Sequence, residues 1–236
     1  MAELQIRYTQ AYNERLFDGG FRSWFHRGRF RWLRARVAEL SCEPLRVIEL
    51  GCFDGKVIAW LPVPPKRYLG FDANWEGGLD QARRKWADFS GAEFRTAKQP
   101  EDLDTAERFD LAICMETLEH LSDAQLAGYL DRIAAVTERR FLVTVPNEIG
   151  PVCFCKQALK KIFWGGSIFS WSDMVKSLFG MTDSIVRDEH RGFDYRKLIR
   201  ELGTRFEVER VSGIPFRFLP PVLNFTVGIV LRAKPR

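Results

Sequence analysis

An α/β fold built on a mostly parallel, doubly wound sheet is predicted for this 236-residue chain. Three observations predict it. Short β-rich runs alternate five times with helix-patterned segments, which argues a parallel sheet covered on both faces. The first run breaks into a tight turn, Gly51-Cys52-Phe53-Asp54-Gly55, before the chain becomes apolar again. The last two runs follow one another without a helix between them and suggest an antiparallel edge.

In order along the chain, "LRVIEL" (45–50) is the first strand, and its near-continuous apolar character suits a central parallel position. "VIAWL" (57–61) starts a helix that Pro62 stops. "KRYLGFD" (66–72) is the second strand. In residues 75–91, Leu79, Ala82, Trp86 and Phe89 recur at three and four, the spacing of one helix face, and Gly91 ends that helix. "AEFRTA" (92–97) and "FDLAIC" (109–114) are the third and fourth strands. Ser122 followed by Gln125 is a capping-box pattern opening a helix whose Leu126, Leu130 and Ile133 share one side. "RFLVTV" (140–145) is the fifth strand. A helix over 193–203 has Asp194 as cap and Gly203 as stop. The last strands lie near 205–212 and 224–233. Residues 147–189 break the rhythm, are too long for an ordinary loop and read as an inserted helical cap beside the ligand cleft.

Composition, 46% hydrophobic and 28% charged, excludes a disordered chain. The absence of an eighteen-residue apolar run predicts no transmembrane helix, and "MAELQIRYTQ" lacks the basic start and apolar core of a signal peptide. The five cysteines, mostly on strand-like segments, suit buried thiols in a reducing cytoplasm, where the protein is expected. Cys153 and Cys155 read as two apolar side chains rather than a metal pair. A net charge of +5 favours anionic partners: nucleic acid, a membrane surface or a phosphorylated acceptor. The charge is uneven, since residues 21–36 carry six arginines and no acid among aromatic residues. That segment reads as a helix lying over the ligand with its arginines solvated or paired. The secondary readings are a docking face for an anionic membrane or lipid-linked sugar, and a phosphate-binding patch with aromatics for base stacking. The apolar-basic stretch "KQALKKIFWGGSIFSW" supports the membrane reading.

In a doubly wound sheet, ligands sit beyond the carboxyl ends of the strands where strand order reverses. A dinucleotide would want G-x-G-x-x-G after the first strand, but Phe53 and Lys56 stand where the second and third glycines belong. Asp72, twenty-one residues beyond Gly51, ends the second strand, where a carboxylate accepts both hydroxyls of a ribose. The pattern points to a nucleoside ligand without a pyrophosphate.

The ordered set "VIELGCFDG", "YLGFDAN", "FDLAICMETLEHL" and "FLVTVPNE" resembles class I S-adenosylmethionine-dependent methyltransferases. The tail "HRGFDYRKLIRELGTRFEVERVSG" is similar to the family's last helix and strand. "WFHRGRFRWL" is similar to a segment of its bacterial polysaccharide- and small-molecule-modifying branch. The resemblance implies a seven-stranded Rossmann-like sheet of order 3-2-1-4-5-7-6 with helices on both faces. It implies a basic helical cap (1–40), a cofactor-binding core (41–146), a helical lid (147–189) and a closing helix with two strands (190–236). S-adenosylmethionine would be the cofactor. Gly51, Cys52, Phe53 and Gly55 would form the loop at its methionine end, Glu49 would orient that loop or the ammonium, and Asp72 would hold the ribose. Ala73 and Asn74 would flank the adenine, the Met115 backbone would lie near the ammonium, and Arg29 would reach the carboxylate. Phe53, where relatives often have glycine, would narrow the pocket or stack near the sulfonium. Ala97-Lys98 occupy the place of an adenine-binding aspartate, with Asp102 nearby. The acceptor would be a hydroxyl or amine on a small molecule, saccharide or lipid-linked intermediate, at the inner membrane face in the last case. His120, Glu116 and His190 are the candidate bases. Asn147 and Glu148 would shape the acceptor pocket or end the fifth strand. Two alternatives stay open. Glu116, Glu119, His120 and His190, the first and third aligned by one helical turn, resemble the metal site of small-RNA 3′-terminal 2′-O-methyltransferases. A catalytically silent binding module would keep the fold alone.

Overall fold

The computed structural model describes residues 20–104, 106–164, 169–188 and 190–235, with side chains from His26 onward except Trp164. Residues 1–19 of the expected N-terminal cap lie outside these, as do the side chains of Phe21, Trp24 and Phe25.

Seven strands form one sheet: β1 (Arg46–Leu50), β2 (Arg67–Asp72), β3 (Ala92–Thr96), β4 (Phe109–Met115), β5 (Thr137–Pro146), β6 (Phe206–Ile214) and β7 (Thr226–Ala233). Their order is β3-β2-β1-β4-β5-β7-β6, with β7 alone running antiparallel to its neighbours. The expected Rossmann-like order and antiparallel edge are what the chain forms. The order reverses at β1, which pairs with β2 on one side and β4 on the other. The helices are α1 (Gly20–Leu40), α2 (Gly78–Lys85), α3 (Asp123–Val136), α4 (Gly150–Trp164), α5 (Trp171–Leu178) and α6 (Tyr195–Arg205).

Two apolar cores lie on opposite faces. One joins Ile48, Leu50 and Phe141 to Leu130 and Ile133 of α3 and Leu198 and Leu202 of α6. The other joins Val47, Tyr68 and Leu142 to Phe30, Trp32, Leu33 and Val37 of α1 and Leu79 and Ala82 of α2. Neighbouring strand residues go to opposite cores because side chains alternate across a sheet. Glu49, next to Ile48, therefore belongs to the α1 face, and it is buried there. Ser122 caps α3 as expected: its Oγ accepts from the Gln125 N–H at 3.3 Å while Gln125 Oε1 accepts from the Ser122 N–H at 3.2 Å.

Several local expectations are corrected. Residues 57–61 form a single 3₁₀ turn, Lys56–Trp60, because Pro62 leaves no room for a second turn. Trp86 and Phe89 lie beyond the end of α2 and fold back onto each other at 6.5 Å. Gly203 does not stop α6, which continues to Arg205; the half-buried glycine lowers helix propensity without ending the helix. Only Cys114 of the five cysteines is on a strand; Cys153 and Cys155 are on α4, one buried and one exposed. Phe30 and Trp32 are core residues, so they offer no face for base stacking. No described helix is long and apolar enough to cross a membrane.

Trp32 locks α1 to the far edge of the sheet. Its Nε1 donates to Ser212 Oγ on β6 at 2.9 Å, and its ring fills the space left by Gly228, where a Cβ would lie 2.5 Å from the indole. Trp32→Ala is expected to cost about 3–5 kcal/mol in urea unfolding. A loss below about 1 kcal/mol would show that α1 is not part of the folding unit.

Candidate active site

The carboxyl ends of β1, β2 and β4 converge at the reversal point. Gly51, just past β1, has φ 76°, and a Cβ there would fall 2.0 Å from Thr117 Oγ1 in the turn after β4. Only glycine permits these two turns to touch. Gly51 and Cys52 donate their N–H groups to Phe71 O at 2.7 and 3.1 Å, which ties the β1 turn to β2. Asp72, at the end of β2, accepts from the Phe53 N–H at 3.0 Å through one oxygen and from the Asn74 N–H at 2.7 Å through the other. Asn74 Oδ1 in turn accepts from the Leu79 N–H at 3.0 Å and orients α2. Three described non-glycine residues have left-handed backbones: Phe53, Asn74 and Glu116. One follows each of β1, β2 and β4, so the costly backbone is concentrated at this edge.

A cavity of about 110 Å³ opens here, lined by Arg29 from α1, Glu49, Gly51, Phe53, Lys56 and Met115. It has room for about four water molecules, enough for an amino-acid head but not a nucleoside. Glu49 accepts from Tyr68 Oη. Burial drives the Glu49 pKa up to about 8; the Tyr68 hydrogen bond opposes the rise, and Asp54 and Asp72 add to it. Arg29 Nε is buried without a hydrogen-bond partner among the described residues, and the Arg29 guanidinium lies 3.7 Å from Glu116. Cys52 packs against the bare backbone of Gly70, where a Cβ would meet its Sγ at 2.7 Å. Gly55 has φ 67° and faces Trp86 and Phe94 rather than the cavity. The Phe53 ring lies across Gly78 at the start of α2, where a Cβ would sit 2.4 Å from it. Ala73 and Asn74 are half-buried beside this edge.

A second cluster stands past β4. The His120 and His190 rings are 4.7 Å apart, and His120 Nε2 is 3.9 Å from Glu119. One ligand atom from each of the three residues lies within 4.8 Å of the others. Both Glu119 oxygens and His190 Nδ1 are buried without described partners. Burial first, then the Glu116 charge, pushes the Glu119 carboxyl well above its usual range. Arg187 brings the histidines together from seventy residues apart: its guanidinium donates to Glu119 O at 3.0 Å and Leu121 O at 3.3 Å. No helical turn aligns Glu116 with His120. Glu116 has φ 54°, the turn spans Leu118–His120, and Glu116 faces Arg29 instead.

Three further residues have structural partners. Asp102 Oδ2 accepts from the Lys98 and Gln99 N–H groups at 2.8 and 3.0 Å and caps its own turn. Asn147 Nδ2 donates to Val222 O at 3.0 Å and Asn224 O at 2.8 Å, and so straps the end of β5 to the loop before β7. Glu148 accepts from Lys156 Nζ at 2.6 Å. The sequence offers no local pattern for Tyr68, Thr117 or Arg187, which meet Glu49, Gly51 and Glu119 from distant parts of the chain.

Residues 25–164 match the model of a family described as Methyltransferase domain. No curated protein sequence matches the chain. Among solved structures, an S-adenosylmethionine-dependent methyltransferase from Clostridium acetobutylicum is similar with a TM-score of 0.64 at 13% identity, covering 97% of this chain and 99% of that one. Magnesium protoporphyrin IX methyltransferase from Synechocystis, with bound SAH, has a TM-score of 0.59 at 17% identity over 94% and 92%. The methyltransferase domain of a bacterial Hen1 protein, CtHen1, has a TM-score of 0.59 at 16% identity over 89% and 100%. At these identities the likeness is one of fold.

The Glu49 carboxyl makes a signed prediction. Tyr68, Cys52, Asp54, Asp72, Arg29 and Lys56 face or surround it. Between pH 4.5 and about 8 the folded state keeps its proton and the unfolded state does not. Its contribution to stability is full below that window and falls as pH rises through it, by about 1.4 kcal/mol per pH unit. Glu49→Gln keeps the Tyr68 acceptor and removes the titration. The difference in unfolding free energy between variant and wild type should grow in the variant's favour from pH 5.5 to 8. A pH-independent difference would refute the assignment.

Proposed function

Because the chain belongs to the S-adenosylmethionine-dependent methyltransferases of the Methyltransferase domain family, we propose that it methylates a hydroxyl or amine of a small-molecule, saccharide or lipid-linked acceptor. The observation that carries the reading is the buried, unpartnered Arg29 Nε beside a cavity shared with Glu49. A buried donor without an acceptor suits a carboxylate, and a buried carboxyl suits a neighbouring cation. An amino-acid head group offers both. Asp72 fits the ribose, since each of its oxygens holds one backbone N–H and keeps a lone pair. Ala73 and Asn74 would border the adenine, and the Met115 backbone the ammonium.

S-adenosylmethionine, when bound, supplies a methyl group on a positively charged sulfur that leaves readily. The chain's own residues then have three tasks. The Gly51–Phe53 backbone and Asp72 fix orientation, which lowers the barrier by removing rotational freedom. Residues 147–189 would act as a lid that keeps water out. His120, exposed in the turn after β4, would take the acceptor proton, with Glu116 and His190 as the other candidates. Lys56, whose pKa burial lowers, lines the same cavity and forms an ion pair with Asp54 at 3.7 Å.

One observation favours a second reading, metal-dependent methylation of an RNA 2′-hydroxyl. Glu119, His120 and His190 present one carboxylate and two imidazoles to a common point, a donor set suited to a divalent transition metal. The silent-module reading has no observation of its own in its favour.

Calorimetry with S-adenosylhomocysteine is expected to show binding that weakens by about tenfold or more in Asp72→Ala and Arg29→Ala. Absence of binding by the wild type would overturn the reading. Binding with no methyl transfer to any acceptor pool would favour the silent module.

Turnover in the presence of a chelator would exclude the metal route. Turnover restored by added Mn²⁺ and lost in Glu119→Ala would establish it.

A further inference from the structure

We propose that the rim formed by α4, α5 and residues 215–225 docks onto an anionic lipid bilayer. Twelve large apolar side chains are exposed among the described residues, and eleven of them lie in two segments, 159–186 and 218–225; only Trp75 lies elsewhere. Val186 is 76% exposed, Phe179 72%, Phe163 68% and Phe218 83%. Scattered single residues of this kind need no explanation, but this concentration does.

The two segments form one surface. α4 packs on α5 and on the Pro221–Leu223 turn. A Cβ on Gly150, at the start of α4, would fall 2.3 Å from Val222. Asn147 bonds the same turn. On α4, Leu159, Ile162 and Phe163 recur at three and four; on α5, Trp171 and Val175 recur at four, and Phe179 follows at the same spacing as the residue that caps the helix. Each row is therefore one helix face, and each is exposed while Cys153, Met174 and Ser177 are buried. The surface sits at the carboxyl edge of the sheet: α4 follows the end of β5, and residues 215–225 follow the end of β6. It borders the cleft that holds the candidate active site.

Charge selects the occupant. Residues 149–172 carry three lysines and no acid, and across 149–188 and 215–225 six basic side chains stand against three acidic ones. Lys160 and Lys161 directly adjoin Ile162 and Phe163. An apolar face with basic residues at its margin fits an anionic headgroup layer, with aromatic rings at the acyl boundary. A second copy of the same surface would set lysines against lysines. The inference stands without the methyl-transfer reading, because it uses no residue of the cofactor cavity.

The full chain is mixed with phosphatidylcholine vesicles that contain either no anionic lipid or about 30% phosphatidylglycerol, and bound protein is measured by flotation. Binding to the anionic vesicles is expected, with about tenfold or more lost on neutral vesicles and in Phe179→Ser with Phe218→Ser. Lys160→Glu is expected to lower the preference for anionic lipid, and Trp75→Ser to leave binding unchanged. Melting curves establish that the variants are folded. Three results would overturn the proposal: no binding to anionic vesicles at low salt, equal binding by the double serine variant, or a dimer in light scattering that Phe179→Ser splits.

Discussion

The contact on which the site depends is that of the Gly51 backbone with Thr117. The turn after β1 and the turn after β4 leave adjacent strands on the two sides of the reversal point, and they meet because position 51 carries no side chain. A methyl group there would collide with the Thr117 hydroxyl at 2.0 Å and would also have to tolerate φ 76°. Once the turns are in contact, the rest of the edge is determined in sequence. Asp72 clamps the loop through the Phe53 N–H, Asn74 carries the alignment into α2, and Thr117 Oγ1 donates to Met115 O at 3.2 Å. The left-handed backbone at Phe53, Asn74 and Glu116 costs about 1–3 kcal/mol for each residue. It is offset by the two apolar cores on which the strands rest.

The electrostatics of the cleft follow from the same packing. Glu49 is a carboxyl in a strand buried on both faces, so it stays protonated near neutrality unless a cation approaches. Arg29 reaches the cavity from α1, which the Trp32–Ser212 bond anchors to β6 one turn further on. A neutral buried acid beside an under-satisfied guanidinium is an unfavourable pairing. A zwitterionic ligand would relieve both at once.

The carboxyl edge also gathers the features that a core would not accept. The histidine–glutamate cluster, α4 and α5 with their exposed apolar residues and the loop bearing Phe218 all stand there. In α/β sheets this edge is built from connections, which tolerate irregular backbone and residue choice better than strands do. The opposite edge carries ion pairs such as Arg46 with Glu107 at 2.9 Å.

The sequence by itself determined the fold class, all seven strands, the Ser122 and Asp194 caps, and the loop that begins at Gly51. These are written in local periodicity and turn chemistry, where the physical cause lies within a few residues of its effect. It also marked Asp72, as the carboxylate that ends the second strand, whereas Glu49 entered through the family resemblance and its burial through the structure. Only the tertiary structure decided that Phe53 lies across Gly78, that Glu116 faces Arg29 rather than His120, and that Asn147 serves as a strap. It alone brought His190 to His120, through an arginine sixty-eight residues from the carbonyl it binds. Such contacts depend on strand order and on which side chains are left unsatisfied after packing, and neither quantity is expressed in the spacing of residues along the chain.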